Sequence, residues 1–155
     1  MSVAANPIPK GYHAITPYLI ARNASAAIAF YKTAFGAEET YRLAQPDGRV
    51  GHAELRIGGA VVMLADEFPE MGIKAPPSFG GTPVTLLLYV QDVDAAAARA
   101  VAAGAKVKRP VKDQFYGDRS GTFEDPFGHM WTIATRKEDL SPEEIERRAK
   151  AAFAH

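Results

Sequence analysis

The chain repeats itself at an offset of 69 residues, and this internal repeat constrains the fold more than any other feature. Corresponding positions are Thr16 and Thr85, Asn23 and Asp92, Gly59 and Gly128, and Met63 and Thr132. Each copy reads as a strand, a helix that starts at Asn or Asp and ends near Gly, and further strands around a glycine turn. Because a duplicated unit of this size must bury its apolar face against its twin or another subunit, we expect function in the concave space between two modules.

The composition is that of a globular protein without cysteine chemistry. Of 155 residues, 47% are hydrophobic and 23% charged, and 18 basic residues balance 18 acidic ones. Zero net charge disfavours nucleic acid or an anionic membrane as the main partner. The lack of cysteine excludes disulfides, thiolate metal sites and cysteine nucleophiles. Because residues 1–11 lack the apolar core of a signal peptide and no apolar run reaches membrane-spanning length, we expect a cytoplasmic protein.

Turn and cap signals divide the chain into five segments. These are an irregular N-terminal arm at 1–11, a first βαβββ module at 12–65, a linker rich in Pro and Gly at 66–83, a second βαβββ module at 84–136, and a C-terminal helix within 137–155. A capping box at Ser141 and Glu144 marks the start of that last helix. This order of elements predicts an α+β fold of two tandem modules plus a C-terminal helix.

Each module is predicted to contain one helix among its strands. In the first copy we expect a strand at 13–20, a helix at 23–35, a segment at 37–44, and hairpin arms at 50–57 and 60–65 joined by Gly58-Gly59. In the second copy we expect a strand at 84–90, an alanine-rich helix at 92–103, a polar-aromatic loop at 111–121, and short strands at 121–124 and 129–135.

Two stretches of sequence carry a resemblance to a known family. The segment FYKTAFGAEE in the first copy and GDRSGTFEDPFGHMW in the second resemble the vicinal oxygen chelate superfamily, which includes glyoxalase I, extradiol dioxygenases, fosfomycin-resistance enzymes and bleomycin-binding proteins. The ending SPEEIERRAKA is similar to that of the PhnB-like branch. The resemblance implies curved sheets around a pocket, and a homodimer whose modules are swapped between chains in some members. It does not specify an activity, because members do different chemistry or none.

The resemblance also implies where a metal would bind. In metal-dependent members a His or Glu lies on the first and last strand of each module, and these positions correspond to Thr16, Met63, Thr85 and Thr132. A divalent ion needs imidazole nitrogen or carboxylate oxygen to replace its lost water, which threonine and methionine do not supply. We therefore expect no metal and no other cofactor, which disfavours metal-dependent isomerase or dioxygenase activity.

Strand alternation predicts the side chains that line the pocket. If Gly58-Gly59 is a two-residue turn, Glu54 pairs with Met63, and directly paired residues share a face. One face is then mixed in character, with His52, Glu54, Arg56, Val61, Met63 and Ala65. The other face is apolar and packs on the helices, with Ala53, Leu55, Ile57, Val62 and Leu64. By the same alternation, the residues expected to point inward are Thr16, Tyr18, Thr85, Leu87, Phe123, Met130 and Thr132.

His52 and Glu54 are the candidate catalytic pair, since they lie two apart on one strand face. A His–carboxylate pair can transfer protons, hold a polar ligand group, or offer two ligands to a metal at a displaced site. The same pattern also fits a hydrogen-bonded pair on a solvated strand. Asp66-Glu67, at a strand end, is more typical of a solvated turn than of a catalytic dyad.

A second candidate group is aromatic, and an arginine lies near it. Its members are Tyr18, Phe115, Tyr116, Phe123 and Trp131. Aromatic walls bind flat organic ligands through apolar burial and stacking, although these residues also suit an ordinary core. Arg119 either pairs with a ligand carboxylate or phosphate, or forms an ion pair with Asp118, Asp125 or Glu124.

Two functions compete on this basis. The first is metal-independent binding of a small aromatic or antibiotic-like molecule in the pocket between the modules. The second is a glyoxalase-like lyase, isomerase or dioxygenase that uses His52 and Glu54 with a non-standard metal site. A weaker third hypothesis is a vestigial pocket on a protein whose dimer surface matters. We expect a small-molecule ligand and a second copy of the chain as partners, and neither nucleic acid nor membrane.

Overall fold

The computed structural model describes residues 4–154, and within them each half of the chain forms its own four-stranded sheet. The first half contains β1 (Tyr18–Ala21), α1 (Ala24–Phe35), β2 (Glu38–Ala44), β3 (Val50–Ile57) and β4 (Ala60–Asp66). The second contains β5 (Thr85–Tyr89), α2 (Val93–Ala103), β6 (Lys106–Asp113), β7 (Asp118–Glu124), β8 (Met130–Arg136) and the C-terminal α3 (Pro142–Phe153). The predicted α+β fold of two βαβββ modules and a C-terminal helix is confirmed.

The two sheets have the same topology. Their strand orders are β1-β4-β3-β2 and β5-β8-β7-β6. In each sheet the first strand runs parallel to the last strand of its module, and the other pairs are antiparallel. The repeat in the sequence is therefore a repeat of the complete module. Each sheet also brings side chains from the first and last strands of its module next to one another.

The helices begin and end at the residues that the sequence indicates. The Asn23 side chain accepts the Ala26 N–H at the start of α1, and the Asp92 side chain accepts the Ala95 N–H at the start of α2. At the end of α1, Gly36 adopts the left-handed conformation. Among the described residues, none of the helices combines the length and the apolar character needed to cross a bilayer.

The core of each module lies between its helix and one face of its sheet. In the first module the predicted apolar face is buried, with Leu55 and Leu64 fully inaccessible, and Tyr31 of α1 is buried as well. In the second module Trp131 and Ile133 are buried, and α2 packs on β6, β7 and β8. Because α2 contributes mainly alanine to this contact, the helix can approach the sheet closely.

Two predicted boundaries are wrong. The strand expected at 13–20 begins only at Tyr18, because Pro17 has no N–H to donate, although its carbonyl accepts the Met63 N–H. The loop expected at 111–121 is mostly strand, since β6 extends to Asp113 and β7 begins at Asp118. Lys112 and Asp113 belong to the exposed edge strand β6, whose polar pattern differs little from that of a loop, whereas Asp118 and Ser120 are buried on the inner strand β7.

The segment of the chain that connects β4 to β5 is structured. The acidic pair at its start, Asp66-Glu67, does not form a solvated turn. The segment contains two short 3-10 helices, Pro69–Met71 and Pro76–Phe79. The buried Asp66 carboxylate accepts the backbone N–H groups of Ala24 and Val50, so it ties α1 and β3 to the end of β4. Glu67 accepts the Ala75 N–H and the Ser78 hydroxyl, which hold the second 3-10 helix.

Candidate functional site

His52 and Glu54 lie at the centre of a hydrogen-bonded chain on the first sheet. Strand β3 places both on its mixed face, where His52 Nε2 lies 3.0 Å from Glu54 Oε2. On the other side of the ring, His52 Nδ1 lies 2.8 Å from the Tyr18 hydroxyl on β1. The predicted pair is therefore part of a trio, Tyr18–His52–Glu54, that links two strands.

The hydrogen bonds of this trio indicate where its protons lie. An ionised carboxylate only accepts hydrogen bonds, so the N–H at His52 Nε2 donates the hydrogen bond to Glu54 Oε2. In the neutral ring Nδ1 then accepts the Tyr18 O–H. Partial burial raises the pKa of the Tyr18 phenol, which keeps its proton in place at neutral pH. The phenol oxygen retains lone pairs that can accept a hydrogen bond from another molecule.

Two tyrosine rings flank the imidazole of His52. The ring centroids of Tyr18 and Tyr41 lie 5.5 and 6.3 Å from that of His52. Tyr41 lies on β2 directly opposite Glu54, so it shares the mixed face. Tyr18 and Tyr41 are 48% and 50% exposed, which leaves aromatic surface available. The sequence alone does not indicate Tyr41, because its position follows from the pairing of β2 with β3.

Met63 belongs to this face, whereas Thr16 lies outside the sheet. Met63 pairs with Glu54 on β3 and with Tyr18 on β1, as the two-residue turn at Gly58-Gly59 predicts. Thr16 precedes β1, and its hydroxyl contacts the His13 carbonyl at 3.5 Å. The expectation that Thr16 occupies a strand position is therefore wrong, because the strand begins after Pro17.

The second sheet has Thr132 at the position of Met63 and Thr122 at the position of Glu54. Thr132 pairs with Leu87 on β5 and with Thr122 on β7, and Thr85 lies on the same face of β5. The hydroxyl oxygens of Thr122 and Thr132 are 2.9 Å apart. Thr132 and Tyr116, both predicted site residues, line a cavity of about 430 Å³ in this module. The sequence pattern does not indicate Thr122, because the side chains of β7 alternate in the phase opposite to the one predicted.

That phase shift also makes the predicted orientation of Phe123 wrong. Phe123 pairs with Trp131 and is buried with it on the helix-facing side of the sheet, each 3% exposed. The 69-residue offset relates Met63 to Thr132, but the residue on β7 that corresponds to Glu54 is Thr122. The reason is that Met63 follows its partner Glu54 by nine positions, whereas Thr132 follows its partner Thr122 by ten, so β7 alternates in the opposite phase.

Phe115 and Arg119 make contacts that the sequence does not indicate. The Phe115 ring packs edge-to-face against Tyr116 and against Phe153 of α3, and it is not among the residues that line the cavity. Arg119 donates two hydrogen bonds of 3.0 Å to Asp94 on α2 and a third to Asp113, so none of the three predicted carboxylates is its partner. These two carboxylates raise the pKa of the Arg119 guanidinium.

The residues at the expected metal positions do not fit a divalent ion. The positions hold threonine or methionine, whose oxygen and sulfur atoms bind such ions weakly. Within residues 4–154, no group of three or more His, Cys, Asp or Glu side chains is arranged to hold a metal. The pair of His52 and Glu54 supplies two donors, and one of them is hydrogen-bonded to the other.

The fold and these two polar sheet faces define a class of tandem βαβββ proteins. The chain belongs to the Glyoxalase/Bleomycin resistance protein/Dioxygenase superfamily, whose sequence model matches residues 12–133. The resemblance seen in the sequence is therefore confirmed at the level of the superfamily.

The chain is also similar to proteins from bacteria and plants. An uncharacterized protein of Mycobacterium tuberculosis (strain ATCC 25618 / H37Rv) is 47% identical over 136 residues, with 86% of this chain and 80% of that protein covered. The X-ray structure of an Arabidopsis thaliana gene product has a TM-score of 0.64 at 29% identity, covering 79% of this chain and 98% of that one. The PhnB protein of Bacillus cereus shares the fold, with a TM-score of 0.62 at 19% identity and coverage of 79% and 99%.

Proposed function

We propose that this protein binds a small planar aromatic molecule on the mixed face of its first sheet, without a divalent metal. The observation that carries the proposal is the Tyr18–His52–Glu54 chain, with hydrogen bonds of 2.8 and 3.0 Å, between the exposed rings of Tyr18 and Tyr41. The rings offer apolar surface for stacking, and the chain of hydrogen bonds fixes the orientation of the polar groups beside them.

Each member of the trio has a distinct role in this proposal. Glu54 holds the His52 ring through Nε2, and His52 in turn fixes the direction of the Tyr18 O–H. The Tyr18 oxygen is then a preorganised acceptor for an N–H or O–H group of the ligand. Preorganisation of this kind reduces the entropy lost when the ligand binds.

A second candidate function is metal-free acid–base catalysis by the same trio. The hydrogen-bonded series from phenol to imidazole to carboxylate is a path along which a proton can move from Tyr18 to His52. The raised pKa of Tyr18 opposes formation of the phenolate that this transfer requires. We therefore rank ligand binding above proton abstraction.

A thermal-shift screen with a library of planar aromatic compounds tests the proposal. A compound present at about 100 times its Kd stabilises the folded state by about 2.7 kcal/mol, which raises the Tm by about 5–10 °C for a chain of this size. For the compounds that shift the wild type, we expect His52→Ala to weaken binding about 100-fold, because it removes the group that orients Tyr18.

The matched control is His13→Ala, which removes an exposed histidine of the same module that precedes β1. This control should retain the full thermal shift. If no compound stabilises the wild type, or if His52→Ala responds like His13→Ala, the proposed binding face is wrong.

A further inference from the structure

A cationic cavity lies on the second sheet, and residues of the first sheet are not among those that line it. Lys108, Arg109 and Lys112 of β6 line it together with Thr122, Thr132 and Tyr116. Its volume of about 430 Å³ lies within the range of about 300–1,000 Å³ that is typical of small-molecule sites. Among the described residues, those that line the cavity include three basic side chains and no carboxylate.

Irregular pairing of β6 brings the cations to one face. Arg109 lies opposite Thr122 and Lys112 lies opposite Ser120, so both share the face of these hydroxyl residues. In a regular strand, residues three apart point to opposite faces. Here β6 has two residues between Arg109 and Lys112, whereas β7 has one residue between their partners Ser120 and Thr122. The bulge at Pro110 and Val111 thus aligns two basic side chains that would otherwise diverge.

A glycine on the neighbouring strand accommodates this bulge. A Cβ at Gly121 would lie 2.9 Å from Val111 Cγ2 and 3.1 Å from the Arg109 carbonyl oxygen. Such distances are shorter than ordinary contacts, so β6 approaches β7 here only because position 121 lacks a side chain. The alignment of Arg109 and Lys112 therefore depends on a specific local packing.

The positive charge of this face is only partly compensated. Lys108 lies 3.6 Å from Glu124, whereas neither Arg109 nor Lys112 has an ion-pair partner within the described part of the chain. Of the nearby carboxylates, Asp113 pairs with Arg119, and the buried Asp118 accepts the Tyr89 hydroxyl at 2.9 Å. Because the whole chain has a net charge of zero, this surplus is a local feature and does not reflect a basic protein.

We propose that this cavity binds a small phosphate monoester. The guanidinium of Arg109 is suited to bidentate contact with phosphate oxygens, and the ammonium groups of Lys112 and Lys108 add charge. One hydrogen bond joins Thr122 and Thr132, so one of their two hydroxyl protons remains free to donate to a phosphate oxygen. Tyr116 supplies an aromatic surface for the organic part. The inference stands on the second sheet and does not depend on the function proposed for the first.

Isothermal titration calorimetry with phenyl phosphate at low ionic strength tests the proposal. We expect saturable binding to the wild type, weakened about 10-fold or more in Arg109→Gln and in Lys112→Gln, because each removes a charge-assisted contact. Lys150→Gln removes the same charge from α3, outside the cavity lining, and should bind like the wild type. His52→Ala should also bind normally, which separates this site from the one on the first sheet.

Amide chemical shifts of the wild-type protein locate the site without any substitution. Phenyl phosphate should shift the resonances of Ser120, Thr122 and Thr132, and phenol at the same concentration should not. The proposal is overturned if phenyl phosphate does not bind at millimolar concentration, if Lys150→Gln loses as much affinity as Arg109→Gln, or if the shifts map to another part of the chain.

Discussion

Replacement of Asp125 by alanine is expected to lower the free energy of unfolding by about 3–5 kcal/mol, the largest effect that we predict for a single side chain. The Asp125 carboxylate is 4% exposed and accepts the backbone N–H groups of Phe127 and His129 and the indole N–H of Trp131. Removal of the carboxylate leaves several partly or fully buried donors without this acceptor, and each costs about 1–3 kcal/mol. Urea unfolding followed by the fluorescence of Trp131, the one tryptophan, measures the change.

Two further variants make the Asp125 test specific. Asp125→Asn keeps an oxygen for the two backbone donors but presents its NH₂ group to the Trp131 N–H, so an intermediate loss of about 1–2 kcal/mol is expected. Asp139→Ala removes an exposed carboxylate in the same half of the chain that pairs with Arg136, and it should cost less than about 1 kcal/mol. A loss below about 1 kcal/mol in Asp125→Ala would show that the turn is not held by this carboxylate.

Gly117→Ala should destabilise the protein by about 2–4 kcal/mol for two separate reasons. Gly117 has a φ of +102°, a backbone conformation that residues with a Cβ rarely adopt. A Cβ there would also lie 2.7 Å from the Glu138 carbonyl oxygen, which is backbone and cannot rotate away. The variant also disturbs the loop that carries Tyr116. Circular dichroism during urea unfolding measures the loss.

The repeat supplies the control for this substitution. Gly48 occupies the corresponding turn of the first module, with a φ of +91°, and a Cβ added there would meet no atom within 4 Å among the described residues. Gly48→Ala is therefore expected to lower the free energy of unfolding through backbone strain alone, by about 1–2 kcal/mol. The difference between the two variants isolates the steric conflict with Glu138. Equal losses in the two variants would mean that this conflict is relieved by movement of the chain.

Much of the fold could be predicted because its signals are local. Asn23 and Gly36 mark the ends of α1 through side-chain capping and a left-handed residue, which depend on nearby sequence only. Gly58-Gly59 fixes the register of the adjoining strands, since both glycines have positive φ, as a two-residue hairpin turn favours. The position of Met63 opposite Glu54 follows from that turn.

The remaining features of the two faces depend on strand pairing, which the sequence does not encode locally. One additional residue between the paired positions of β7 and β8, compared with β3 and β4, reverses the phase of Phe123, although the overall offset of the repeat is preserved. The bulge in β6 aligns Arg109 with Lys112 against the simple alternation rule. Arg119 meets Asp94 only because α2 packs on the sheet, a contact between residues distant in the chain.

The central claim is that this chain keeps the sheet faces of its superfamily but lacks their metal-ligating side chains. The metal content of the purified protein tests this claim most directly. The protein is prepared without chelator from medium containing zinc, nickel, manganese and iron, and is analysed by inductively coupled plasma mass spectrometry beside His52→Ala. We predict far less than one metal ion per chain in both samples. One equivalent of a divalent metal in the wild type that disappears in His52→Ala would contradict the account.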